Sequence, residues 1–204
     1  MSAPRWAVAA LAAPRLRAKA WATRIFIDPV ARGLHALGIH PNAITLAGFA
    51  IAVAAGYLLS EGRLLAGGLV MLAGAAADMF DGAVARLGGK ASTFGALLDS
   101  VMDRLGEAAV LFGLLVFYVR DAHALGVYLV FGALVTSLLV SYLRARAEGL
   151  GVPGDVGLMG RPERIVVLGA GLLAGYPLYA LGVIVALASV TVVQRAVQVW
   201  RASP

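Results

Sequence analysis

The chain has 204 residues, 61% of them hydrophobic and only 14% charged, where a soluble domain carries about a quarter. That length bounds it to one domain, and that composition belongs in a lipid bilayer rather than in water. There is no cysteine, which excludes a disulfide framework and a thiolate metal site, and the formal charge of +6 matters mainly through its placement.

In chain order, the N-terminal segment is basic but lacks a compact apolar stretch ending in a small-residue cleavage site, so it reads as retained. Within Pro4–Phe26, Trp6, Leu11, Leu16, Trp21, Ile25 and Phe26 interleave with Arg15, Arg17, Lys19 and Arg24. This mix predicts a helix lying in the membrane interface, broken or restarted near Pro14, with a floppy basic arm as the alternative. A membrane-spanning helix needs ~20 mostly apolar residues. Six segments come close: 43–60, 65–86, 95–119, 124–147, 163–175 and 178–199, the fifth cut short by Gly175, Tyr176 and Pro177. The expected fold is therefore an all-α integral membrane protein. Six transmembrane helices follow an N-terminal interfacial amphipathic helix, in one domain over 1–204 (1–42 juxtamembrane, 43–199 bundle). Lys and Arg concentrate in the N-terminal segment, the 86–95 turn, the 144–164 loop and the C-terminal end. The positive-inside rule then predicts a multi-pass protein of the cell membrane with both termini on the cytoplasmic side.

Ionisable groups inside a bilayer are costly, ~2.5–3.5 kcal/mol each on insertion scales, and tend to mark function. Of only eleven acidic residues, five fall in the second and third predicted spans: Asp78, Asp81, Asp99, Asp103 and Glu107. Asp78 and Asp81 stand at i and i+3, Asp99 and Asp103 at i and i+4, so each pair shares one helix face. A short connection, Leu87–Phe94, makes the two helices antiparallel neighbours and lets four carboxylates converge near the cytoplasmic side. Four such groups need compensating charge. Hard divalent cations with oxygen ligands supply it, while His35, His40 and His123 are too scattered for zinc and read as surface or interfacial residues. The alternative is a scaffold of ion pairs using Arg86 and Arg104, in which four Asp share two Arg. A small ion-binding transporter is a further reading of intramembrane carboxylates.

The full stretch runs Asp78-Met-Phe-Asp81-Gly82-Ala-Val-Ala85-Arg86, eight residues, Gly95, three residues, Asp99, three residues, Asp103. It matches at every fixed position the signature D-x2-D-G-x2-A-R-x8-G-x3-D-x3-D, and on it the chain is identified as a member of the CDP-alcohol phosphotransferases. The resemblance covers essentially the whole chain and accounts for the glycine, alanine and arginine spacing that a transporter leaves unexplained. It implies a phosphatidyl transfer with two divalent ions, Mg²⁺ or Mn²⁺. By it, Asp78, Asp81, Asp99 and Asp103 would ligate the metals, with Asp103 also the general base. Gly82 would leave room for the nucleotide and Arg86 would help hold the donor, CDP-diacylglycerol. Ser92 resembles the small hydroxyl residue that contacts the CDP-lipid, and the turn His40-Pro41-Asn42-Ala43 resembles the donor-binding turn, with Asn42 in place of an acidic residue. A homodimer is likewise implied, and no nucleic acid partner.

A second stretch bears on the acceptor. Ser141-Tyr-Leu-Arg144-Ala-Arg146-Ala-Glu148, then Gly160-Arg161-Pro-Glu163-Arg164, is similar to bacterial and archaeal synthases of phosphatidylinositol phosphate or its ether-lipid counterpart. That similarity implies that Ser141, Arg144, Arg164 and Arg195 bind the phosphate of inositol 1-phosphate. Other acceptors, glycerol 3-phosphate above all, and an ether-lipid donor remain open. So does a plainer role for these arginines in topology and contact with anionic headgroups.

Overall fold

The computed structural model describes residues 40–87 and 92–202 together with Gly33 and Gly38, and of residues 78–87 the backbone alone. The predicted interfacial helix over Pro4–Phe26 lies outside the described residues. Among the described residues six helices follow one another: α1 Pro41–Ser60, α2 Leu64–Leu87, α3 Thr93–Arg120, α4 Ala124–Gly149, α5 Arg161–Leu173 and α6 Pro177–Ala202. Their ends lie within a few residues of the expected spans. Three of them, α1, α4 and α6, are long and apolar enough to cross a membrane. The uninterrupted apolar part of α2 is only Leu64–Ala77, and α3 carries the carboxylates. At 1.5 Å per residue the 13 residues of α5 reach ~20 Å, short of a ~30 Å hydrocarbon core.

The chain divides into two compact units. The larger holds Ala47–Ala75 and the chain from Ser100 onward; the smaller holds the chain up to Leu46 and Ala76–Asp99. The core of the larger unit is built from Ala55, Leu59, Leu114 and Leu181, none with any exposure, joined by Val110, Leu172 and Ile184. Around it the polarity of a soluble protein is inverted: Phe112, Phe131, Tyr128, Val166 and Val193 all point outward, as suits a surface solvated by lipid tails.

In lipid the hydrophobic effect does not drive helices together, so contact depends on small residues that let backbones approach. Here α1 and α3 meet at glycines: a Cβ on Gly113 would stand 2.0 Å from the Gly56 carbonyl oxygen, and one on Gly56 would stand 2.4 Å from that of Ala109. Likewise α2 and α5 interlock through Gly68 against Leu172 and Gly169 against Leu72. Tight turns close the hairpins. Arg120 Nη1, at the end of α3, donates to the Ser60 carbonyl at 3.0 Å and to Glu61 Oε1 at 2.9 Å, tying the α1–α2 turn down. His123, expected as a surface or interfacial histidine, is half-buried at this turn and also caps α4: its Nδ1 accepts the Gly126 N–H at 3.1 Å.

The glycine contact between α1 and α3 makes a direct prediction. Gly113→Val forces a side chain into backbone, and overpacking of this kind costs ~1–3 kcal/mol. Gly182 has nothing within 4 Å of an added Cβ, so Gly182→Ala should leave stability unchanged or slightly raised. Thermal unfolding of detergent-solubilised protein should therefore show a lowered midpoint for the first variant only.

Candidate active site

Within the smaller unit, the start of α1 and the start of α3 are both organised by side-chain caps. Pro41 takes the first helical position, where its missing N–H costs nothing. The Asn42 N–H donates to His40 Nδ1 at 3.3 Å and the Ala43 N–H to the His40 carbonyl at 2.9 Å. Ser92 Oγ accepts the Gly95 N–H at 3.0 Å, capping α3. A Cβ on Gly95 would lie 3.1 Å from Ser92 Oγ and 3.3 Å from Asn42 Oδ1. The signature glycine thus lets Asn42 and Ser92 come together over the first turn of α3, two residues that the sequence assigns to the donor for separate reasons. As a cap, Ser92 still has its hydroxyl proton to donate.

The carboxylates sit on α2 and α3. Asp78, Asp81, Gly82 and Arg86 are all on α2, whose helical backbone continues to Leu87; their side chains lie outside the described residues. Asp99, Asp103 and Glu107 succeed one another at single-turn spacing on α3. Among the described residues no group of three or more His, Asp or Glu side chains comes together to hold an ion. The donor set that the chain offers is oxygen only, which suits a hard divalent cation.

In the larger unit, Asp103 and Glu107 each meet an arginine from the start of α5. Arg161 Nη1 stands 2.9 Å from Asp103 Oδ2. Arg164 grips Glu107 with two parallel bonds, Nε to Oε1 at 2.6 Å and Nη2 to Oε2 at 2.7 Å, and its Nη1 reaches the Met159 carbonyl at 3.5 Å. The ion-pair alternative had offered Arg86 and Arg104 as partners for the aspartates. Arg104 instead donates from Nη1 to the Ser100 carbonyl, at 2.6 Å, and the partner of Asp103 comes from 58 residues further along the chain.

The loop between α4 and α5 is fastened onto α6. Thr191, fully buried, accepts the N–H groups of Leu158 and Met159 at 3.1 and 3.0 Å while donating to the Leu187 carbonyl at 2.8 Å. One turn on, Arg195 donates from Nε to the Val156 carbonyl at 2.8 Å and from Nη1 to the Val140 carbonyl. Gly157, with φ of +139°, lets the loop lie down, since a Cβ there would stand 2.2 Å from Thr191 Cγ2. These bonds shape a cavity of about 300 Å³ whose lining includes all four predicted acceptor residues: Ser141, Arg144, Arg164 and Arg195. Arg104 and Arg161 complete a set of five arginines, against two lining carboxylates, Asp155 and Glu163. Arg144 is the exposed member, paired with Glu148 one turn away at 2.9 Å. Three of the five are themselves paired with carboxylates, Arg144 with Glu148, Arg161 with Asp103 and Arg164 with Glu107, and guanidinium forks of this kind also suit phosphate.

Sequence reasoning placed Arg104 only as an ion-pair partner for the aspartates, and did not find the Thr191 clip or the pairing of Glu107 with Arg164. Arg104 had a signal, since it directly follows the last signature aspartate. The other two join residues that lie 32 to 57 positions apart, and nothing local marks them.

Comparison with known proteins identifies the family. The profile of the CDP-alcohol phosphatidyltransferase family matches residues 38–200. An archaetidylinositol phosphate synthase from Methanothermobacter thermautotrophicus is 38% identical over 184 residues, covering 87% of this chain and 90% of its own. The phosphatidylinositol phosphate synthase of Mycobacterium tuberculosis is 40% identical over 185 residues, with 84% of each chain covered. Its crystal structure with CDP-DAG bound superimposes with a TM-score of 0.78 at 36% identity, over 86% of this chain and 94% of that one. The same enzyme in complex with manganese and citrate gives 0.79 at 35% identity, over 86% and 89%. This multi-pass membrane protein belongs to the CDP-alcohol phosphatidyltransferase family of enzymes.

Proposed function

We propose that the chain transfers the phosphatidyl group of CDP-diacylglycerol to inositol 1-phosphate, releasing CMP and leaving phosphatidylinositol phosphate in the membrane. The observation that carries the acceptor is the five-arginine cavity beside the Asp103–Arg161 pair. An acceptor that already bears a phosphate uses that charge; serine or free inositol does not. Two relatives, an archaetidylinositol phosphate synthase and a phosphatidylinositol phosphate synthase, support the same choice.

In this reading Asp78, Asp81, Asp99 and Asp103 hold two divalent ions, Mg²⁺ or Mn²⁺, whose charge offsets the diphosphate and stabilises both entering and leaving oxygens. The manganese complex of the mycobacterial enzyme and the all-oxygen donor set support a divalent metal. The inositol hydroxyl attacks the phosphorus that carries the lipid. A new P–O bond forms, the P–O bond to the cytidylate breaks with its electron pair on CMP, and Asp103 takes the hydroxyl proton. Arg144, Arg164 and Arg195, with Ser141, hold the acceptor phosphate so that the hydroxyl is aimed, and positioning of this kind lowers the barrier by avoiding entropy loss at the reacting step. On the donor side, His40, Pro41, Asn42 and Ala43 form the turn that holds the CDP group, Ser92 contacts it, Gly82 leaves it space and Arg86 helps hold it. The reading includes a single domain of six spans, a homodimer, and an active site and both termini on the cytoplasmic side, where cytidine and inositol phosphate arrive from water. The archaeal relative favours one variant in particular, the same transfer from an ether-lipid donor.

Two outcomes test this. Turnover should vanish in excess chelator and return with Mg²⁺ or Mn²⁺; full activity after chelation and dialysis contradicts the metal reading. Arg144→Ala is the cleaner probe of the acceptor, because Arg164 and Arg195 are buried and also hold structure. Loss of one charge-assisted bond costs ~1.5–3 kcal/mol, or roughly ten- to hundredfold in affinity. The KM for inositol 1-phosphate should rise by that factor while the KM for CDP-diacylglycerol stays put. An unchanged acceptor KM removes Arg144 from the site.

A further inference from the structure

Glu107 is one turn beyond the last signature aspartate, and neither the signature nor the acceptor assignment gives it a task. Its surroundings do. Arg164 is 2% exposed and Glu107 17%, and a guanidinium so placed is destabilising by several kcal/mol unless it is paired and hydrogen-bonded. The pairing has a definite geometry. Both oxygens of Glu107 are committed to one side of the guanidinium, the Nε–Nη2 edge, at 2.6 and 2.7 Å. The Met159 carbonyl takes a longer contact on Nη1. A guanidinium carries five N–H groups in a rigid plane. With the Nε–Nη2 edge taken by a carboxylate, the edge remaining for a ligand in the cavity is the terminal one, Nη1–Nη2.

We propose that Glu107 is a positioning residue for the acceptor: it holds the plane of Arg164 so that the terminal guanidinium edge is presented to the acceptor phosphate. The inference rests on the acceptor reading given above. Two opposed effects are in play when the carboxylate is removed. Loss of orientation weakens phosphate binding, while loss of a negative charge near Arg164 strengthens it. Orientation dominates because Arg164 is a long side chain with many rotamers to lose. Phosphate would otherwise have to supply that ordering itself. The remaining arginines of the cavity already provide attraction.

The test is a set of four proteins assayed in detergent or liposomes: wild type, Glu107→Gln, Arg164→Met and the double variant, with donor and acceptor titrated separately. Glu107→Gln keeps size and one oxygen acceptor but ends the two-bond grip. Its KM for inositol 1-phosphate should rise at least about tenfold, with kcat at saturating acceptor and KM for CDP-diacylglycerol within about threefold of wild type. In the Arg164→Met background the same Gln change should have no further effect on acceptor KM, because a positioning residue acts only through the residue it holds. The double variant replaces the ion pair by neutral groups, which buried sites tolerate better than half a pair, so it guards against loss of fold. Glu107→Asp provides a second route: its carboxylate falls short by one methylene, and it should give a rise between wild type and Gln. An acceptor KM in folded Glu107→Gln or Glu107→Asp that is unchanged or lowered overturns the proposal. So does an equal Gln effect with and without Arg164. If Arg164→Met itself leaves the acceptor KM at wild type, Arg164 is no part of the acceptor site, and the acceptor reading and the role of Glu107 fall together.

Discussion

The arrangement at the start of α5 depends on what it takes to keep two arginines buried in a mostly apolar protein. Arg164 and Arg195 have almost no exposure, and each solves the problem differently. Arg164 is met by a carboxylate on α3; Arg195 is met by backbone carbonyls of α4 and of the loop that follows it. Those partners link α3, α4, α6 and the loop before α5 to one another. The same bonds that make the arginines tolerable also give the cavity its walls, so the site is not an addition to a finished bundle. Remove the charges and the loop has little reason to lie where it does: beyond Arg195, its hold on α6 comes from Thr191 and the space left by Gly157.

The division of labour between charge and packing follows from the solvent. Outside the site the helices meet through glycine, as between Gly56 and Gly113, and turn large apolar side chains outward to lipid. A helix pair built that way holds few polar groups, so the costly ones are concentrated where substrate is handled. Asp103 and Glu107 illustrate the contrast. They are one turn apart on α3 and each meets an arginine of α5: Arg161 Nη1 reaches Asp103 Oδ2, and Arg164 and Glu107 are joined by a two-bond fork.

Much of this was legible in the sequence, for identifiable reasons. Helix positions follow from runs of apolar residues ended by Gly62, by the Asp121–His123 turn and by Gly175 with Pro177, and local chemistry fixes such ends. The family followed from eight residues at fixed spacing, most of which act within one helical hairpin. The four residues that the resemblance alone implies for the acceptor, Ser141, Arg144, Arg164 and Arg195, line one cavity. Illegible were the pairings across long stretches of chain. Neither Glu107 with Arg164 nor Thr191 with the 158–159 backbone leaves any periodic or compositional trace. His123 as a helix cap was missed for a different reason: a histidine cap is chemically sound but uncommon beside the Ser, Thr, Asp and Asn that sequence reading looks for.

The account ultimately stands on the chemistry of the acceptor. The measurement that reaches it most directly is product identification by mass spectrometry. Purified protein would be given CDP-diacylglycerol, a divalent ion, and equal amounts of inositol 1-phosphate and glycerol 3-phosphate. Inositol 1-phosphate as the acceptor predicts phosphatidylinositol phosphate and CMP in equal amounts, with little phosphatidylglycerophosphate. Phosphatidylglycerophosphate as the main product would contradict the acceptor assignment while leaving the family reaction intact.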